Sequence, residues 1–179
     1  MILKIKNDKK YIFFIRIICI ILLLMLSGCS PKVKKIQKEI FALNTVINIT
    51  VYGDEEAEKV LQKAINRIYD IENKMSVTIS ESDVSLINQN AGKRPVKVHE
   101  DTFFVVQKAL EYGELTNGAF DISIYPLVKL WNINNGNKNI PTEEEINETL
   151  NLVDYKKIKL NLDDMTVFLE MEGMAIDLG

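Results

Sequence analysis

The stretch densest in chemically useful side chains is Thr116-Asn117-Gly118-Ala119-Phe120-Asp121-Ile122-Ser123-Ile124-Tyr125-Pro126, which runs on to Leu130-Trp131. A helical pattern stops at Asn117-Gly118, where glycine accepts the left-handed cap conformation without Cβ strain. Small, aromatic and acidic residues follow. Such a loop exposes backbone N–H and C=O groups to a flat ligand, with Phe120 able to pack on it. On these grounds alone the plainer reading is an ordinary helix-to-loop turn with Phe120 and Trp131 in the core. Other reactive groups are sparse. His99 is the single histidine, which excludes a multi-histidine metal site. It follows the strand pattern Val96-Lys97-Val98 and reads as a surface residue. Asp163-Asp164 reads as a solvated turn, and Glu143-Glu144-Glu145 as a charged helix start favoured by the dipole. Neither acidic cluster has metal-ligand spacing.

The N-terminus carries a second signal. Lys4, Lys6, Lys9, Lys10 and Arg16 precede the apolar run Ile17 to Leu26, and Ser27-Gly28-Cys29 follows. This is the order of a secretory signal: positive flank, apolar core, small residues. The apolar run is about ten residues, short of the roughly 20 that span a bilayer. Leu26-Ser27-Gly28-Cys29 resembles the lipobox of bacterial lipoproteins. The resemblance implies a signal peptide over residues 1–28 and a lipid on Cys29. It also implies a protein tethered to the extracytoplasmic side of a bacterial membrane. Residues 30–38 are short, basic and featureless, and extend the tether that begins at Cys29. Beyond residue 28 the chain carries 17 basic and 24 acidic residues. So acidic a chain is a poor nucleic-acid binder. Cys19 leaves with the signal, so no intrachain disulfide is expected.

Residues 39–179 read as one domain. Val46/Asn48/Thr50 alternate with Ile47/Ile49/Val51, a strand of period two. Ala57, Val60, Leu61, Ala64, Ile65, Ile68 and Ile71 define the inner face of an amphipathic helix. Ser82 to Asn88 reads as a loop entering a short helical turn. Asp101 opens a second amphipathic helix, with Phe103, Val106, Ala109, Leu110 and Gly113 inward. Thr142 and Glu145 form a capping box for a third. Tyr155 to Leu160 and Met165 to Leu169 read as strands joined at Asp163-Asp164. Helices and strands mix without a βαβ rhythm. The expected class is α+β, with two or three helices packed on a small mixed sheet.

The segment from Gly118 to Trp131 closely resembles the Gly-Ala-Phe-Asp-Ile-Thr…Pro-Leu-Val…Leu-Trp signature of the FAD:protein FMN transferases, the ApbE family of flavin-transferring lipoproteins. Other blocks fall in the family's order. Leu43-Asn44-Thr45 sits where Met-Gly-Thr is usual. Met75-Ser76 through Ser82-Asp83 to Asn88 resembles its Ser-rich loop. Asp177-Leu178-Gly179 resembles the opening of its Asp-Leu-Gly-Gly block. The resemblance implies the N-terminal half of the flavin-transferase domain. It implies transfer of FMN from FAD to a threonine of an acceptor flavoprotein, with Mg2+ assisting and AMP leaving. It places Leu43 at the flavin-site methionine and Thr78 at a ligand-packing tyrosine. Ala119, Phe120 and Asp121 match the FAD-contacting loop, and Asp177 the acid of the last block. The family's metal ligands are expected past Gly179. The 179 residues alone are therefore expected not to transfer FMN. The alternative is a non-catalytic, lipid-anchored module that binds FAD or a partner.

Overall fold

The computed structural model describes residues 9–25, 33–132 and 140–179. Cys29 and the rest of the lipobox lie outside the described residues. Helix α1 spans Lys9–Met25. Among the described residues no helix is long and apolar enough to cross a membrane.

Strands β1 (Lys34–Ala42) and β2 (Thr45–Gly53) form an antiparallel hairpin, with Ala42 opposite Thr45. Residues 34–38, expected as tether, are therefore the first part of a strand. The period-two reading of β2 holds: Ile47, Ile49 and Val51 are half-buried, and Val46, Asn48 and Thr50 are exposed. The inner face packs on α2 (Ala57–Met75). There Ile40 and Ala42 meet Leu61 and Ile65 in a small core. Val60 departs from the expected inner face and is exposed. At a helical pitch of 3.6 it lies beside Leu61 but turned outward.

A larger core gathers α3 (Asp83–Gln89), α4 (Glu100–Leu115) and a second sheet. That sheet has the order β3 (Val96–Lys97), β5 (Thr166–Leu169), β4 (Ile158–Asn161), and both pairings are antiparallel. The α+β class stands, with two small antiparallel sheets in place of one mixed sheet. Tyr155 to Lys157 is a 3-10 turn capped by Asp154, so β4 starts later than the sequence pattern suggests. Helices α5 (Tyr125–Trp131) and α6 (Glu143–Leu150) complete the described elements. The Thr142–Glu145 capping box at the start of α6 is present as read.

Two polar clusters fix the helices relative to one another. On the surface, Arg67 and Lys74 of α2 both donate to Asp101 of α4. The bonds from Arg67, then Lys74, hold the Asp101 carboxyl well below the usual carboxylate range. Inside, Asp83 at the start of α3 is buried and accepts three hydrogen bonds. They come from the His99 N–H at 2.9 Å, the His99 Nδ1 at 3.0 Å and the Thr102 hydroxyl at 2.7 Å. His99 is thus exposed, as read, but has a partner remote in sequence.

Replacing Asp83 by Ala strands the Thr102 hydroxyl and the His99 N–H. Stranding buried donors costs about 1–3 kcal/mol. Asp83→Ala is expected to lower the unfolding free energy by about 2–3 kcal/mol in urea denaturation. Asp83→Asn, which keeps an acceptor oxygen, is expected to lose less.

Candidate functional site

Three chain segments meet around one cleft. The first is the tip of the β1–β2 hairpin. Leu43 and Asn44 have φ of 51° and 55°, the left-handed pair of a two-residue type I′ turn. Asn tolerates this region; Leu rarely visits it. The Leu43 N–H donates to Glu72 Oε1 at 2.9 Å, tying the tip to the last turns of α2. The second segment is the loop after α2. The Ser82 and Ser85 hydroxyls both donate to the Ser76 carbonyl. The Ser76 hydroxyl in turn accepts from the Thr78 N–H at 3.2 Å. The third is the run from Met174 to Leu178, which belongs to no helix or strand. Its Asp177 N–H donates to the Ile122 carbonyl at 3.0 Å.

Together they wall a cleft of about 340 Å3, lined by Phe41, Leu43, Asn44, Glu72, Met75 to Thr78, Asp177 and Gly179. That volume is at the lower end of small-molecule sites, roughly 300–1,000 Å3. Its lining combines apolar side chains with hydroxyls and two carboxylates, Glu72 and Asp177. Among the described residues no Lys or Arg lines it. Such a cleft suits an uncharged ring bearing N–H or O–H donors, and disfavours phosphate.

Of the site residues expected from sequence, Leu43, Thr78 and Asp177 come together here. Ala119, Phe120 and Asp121 lie on the neighbouring loop, one residue before Ile122. That loop is more self-contained than its sequence suggests. The Gly118 N–H donates to the Gly113 carbonyl, the Ala119 N–H to the Thr116 carbonyl, and the Phe120 N–H to the Thr116 hydroxyl. These three N–H groups are not left for a ligand. Asp121 is also engaged. Its Oδ1 accepts from the Ser123 N–H and hydroxyl, and its Oδ2 from the Tyr155 N–H at 2.9 Å. It caps the turn and anchors it to the strand region. Phe120 is about half exposed, with its ring edge-on to Tyr112 at 6.4 Å, and Trp131 is 41 % exposed. Neither sits in the core.

The sequence reading missed three residues at the site. Glu72 pins Leu43. Asn88 bonds the backbone next to Asp177. Tyr125 senses Asp177: burial, then the negative charge of Asp177, pushes its phenol above the usual range. Asn88 and Tyr125 lay within blocks already quoted, but no local pattern marks Glu72. Among the described residues no three His, Cys, Asp or Glu side chains come together to hold a metal.

An α+β unit in which a hairpin tip, a post-helical loop and the 174–178 segment converge on one polar-edged cleft presents a candidate small-molecule site. The chain belongs to the ApbE family, whose model matches residues 43–179. It is 31% identical over 137 residues to the FAD:protein FMN transferase of Klebsiella pneumoniae, covering 76% of this chain and 43% of that protein. It is 26% identical over 171 residues to that of Treponema pallidum, covering 91% and 47%. Among solved structures, the ApbE protein of Thermotoga maritima superposes with a TM-score of 0.74 at 30% identity, covering 81% of this chain and 47% of that one. The flavin transferase ApbE of Vibrio cholerae gives 0.73 at 25%, covering 82% and 48%. The chain thus spans about half the length of the relatives it matches.

The influence of the Asp177 charge on Tyr125 is measurable. Asp177→Asn removes one of the two causes that raise the phenol, so Tyr125 is expected to titrate lower, though still raised by burial. Ultraviolet titration of tyrosinate, read as the difference from Tyr125→Phe, checks this. An unchanged titration would separate the two residues.

Proposed function

We propose that this chain forms the flavin-holding part of an FAD:protein FMN transferase. The observation that carries this reading is the convergence of Leu43, Thr78 and Asp177, far apart in sequence, on one cleft. The lining decides which part of FAD enters. Two carboxylates and apolar walls fit the isoalloxazine ring, whose imide N–H can donate to a carboxylate, with Leu43 and Met75 against its faces. The pyrophosphate then projects out of the cleft, away from Glu72 and Asp177. Thr78 offers a hydroxyl and no ring, so stacking at this position is lost. An aromatic contact of that kind is worth about 1 kcal/mol.

The reaction class is phosphoryl transfer. An acceptor threonine hydroxyl attacks the FMN-side phosphorus of FAD. The new bond is threonine oxygen to phosphorus; the bond broken joins that phosphorus to the bridging oxygen, and AMP leaves. The threonine proton passes to a base. A divalent cation, Mg2+ in this reading, neutralises phosphate charge when bound. The described residues of this chain bind and orient the flavin end. The acceptor is a flavoprotein that presents a threonine.

Two outcomes test this. FAD fluorescence titration is expected to show binding by the chain. Asp177→Ala is expected to weaken it about tenfold, the loss of one charged hydrogen bond of about 1.5 kcal/mol. Equal affinity of parent and variant would remove Asp177 from the site. Mass spectrometry of a threonine-bearing acceptor is expected to show FMN only when polypeptide matching the relatives' other half is also supplied. FAD binding with no labelling under either condition would make the chain a binding module.

The anchor is proposed on the sequence signal. Cys29 carries lipid and holds the domain on the extracytoplasmic face of a bacterial membrane. Cys29→Ala is expected to accumulate as unprocessed precursor that takes up no labelled fatty acid. Processing and release like the parent would contradict this.

A further inference from the structure

We infer that Asn88 is the positioning residue that sets Asp177 at the cleft; this rests on the flavin-site reading above. Asn88 lies near the end of α3, far from Asp177 in sequence. Its carboxamide makes two hydrogen bonds to the backbone of one residue. Nδ2 donates to the Ile176 carbonyl at 2.9 Å, and the Ile176 N–H donates to Oδ1 at 2.7 Å. A carboxamide is a peptide group carried on a side chain. The pair therefore reproduces the double exchange between two paired strand residues. Among the described residues no strand lies beside the 174–178 run, and Asn88 takes the place of one at Ile176.

The consequence for Asp177 follows from its place in the chain, directly after the anchored residue. Ile176 is fully buried in the main core. With the Ile176 backbone held by Asn88 and its side chain packed in the core, the next residue is held in place, and Asp177 lines the cleft. The Asp177 N–H bond to the Ile122 carbonyl holds the same peptide from the other direction. The carboxylate then accepts from the Gly179 N–H at 3.0 Å and stays half-exposed at the cleft wall. Helix formation does not ask for asparagine here, since asparagine is a weak helix former. The match of one donor and one acceptor to Ile176 does. Alanine removes both bonds. Aspartate keeps the acceptor, loses the donor and sets a charge beside a carbonyl.

A double-mutant cycle tests this. FAD affinity is measured on the full 179-residue chain, on Asn88→Ala, on Asp177→Ala and on the double variant. Circular dichroism confirms that each is folded, and Asn88→Asp replaces Asn88→Ala in the cycle if the latter is not. Asn88→Ala is expected to weaken FAD binding five- to tenfold in the parent and less than twofold in the Asp177→Ala background. A role confined to folding would weaken both alike. Equal loss in both backgrounds, or no loss in the parent, overturns the inference. Dependence on Asp177 without dependence on Asn88 overturns it while leaving the flavin site standing. A parent chain that does not bind FAD overturns both.

Discussion

The run from Met174 to Leu178 enters the main core outside any helix or strand, and its polar groups still have to be paired. Met174, Ala175 and Ile176 are all buried, so water cannot satisfy them. The Met174 N–H donates to the nearby Met171 carbonyl, and farther along the pairing comes from a side chain and a turn: the Asn88 carboxamide on Ile176 and the Ile122 carbonyl on Asp177. Much of the surrounding structure serves those two groups. Helix α3 must begin at Ser82, whose hydroxyl caps it, for Asn88 to reach Ile176. Asp83 then ties the start of α3 to the start of α4 through His99 and Thr102. At the far end of α4, Gly113 faces the Tyr155 ring so closely that a Cβ there would lie 2.9 Å from it. The chain then turns at Gly118, with φ of 82° and its N–H on the Gly113 carbonyl, and leads to Ile122 beside the run.

The opposite wall of the cleft depends on a strained turn. Leu43 sits in the left-handed region at an expected cost of roughly 1–2 kcal/mol. The two-residue turn is tolerated because its twist matches that of the hairpin strands. Its N–H is also taken up by Glu72. The result is an apolar side chain, 39 % exposed, held at the rim of a cleft. Strain retained at such a place is consistent with a ligand wall. In the reading proposed above, the flavin lies between this strained tip and the carboxylate of Asp177.

Much of the fold was legible because it rests on local rules. The inner faces of α2 and α4, the alternation of β2, the stop at Gly118 and the Thr142–Glu145 box all follow from periodicity or capping. The division into two antiparallel sheets was not, because β3 is two residues long and its register is set by β5. Residues 34–38 hid their strand because most of their side chains are exposed and polar. The candidate site was legible only through family resemblance. The partners of Asp121, His99 and Asn88 lie at Tyr155, Asp83 and Ile176, and no spacing within a window reports such pairings. Side-chain hydrogen bonds to distant backbone leave no periodic trace. The same limit explains why the loop at Ala119 and Phe120 looked open in sequence and proves internally bonded.

The central claim is that flavin lies between Leu43, Thr78 and Asp177. The most direct measurement is the set of nuclear Overhauser contacts between bound FAD and methyl-labelled chain. The account predicts contacts from the isoalloxazine protons to the methyl groups of Leu43, Met75 and Thr78. Contacts confined to other methyl groups, such as those of Leu110 and Leu160 where α4 meets β4, would contradict it.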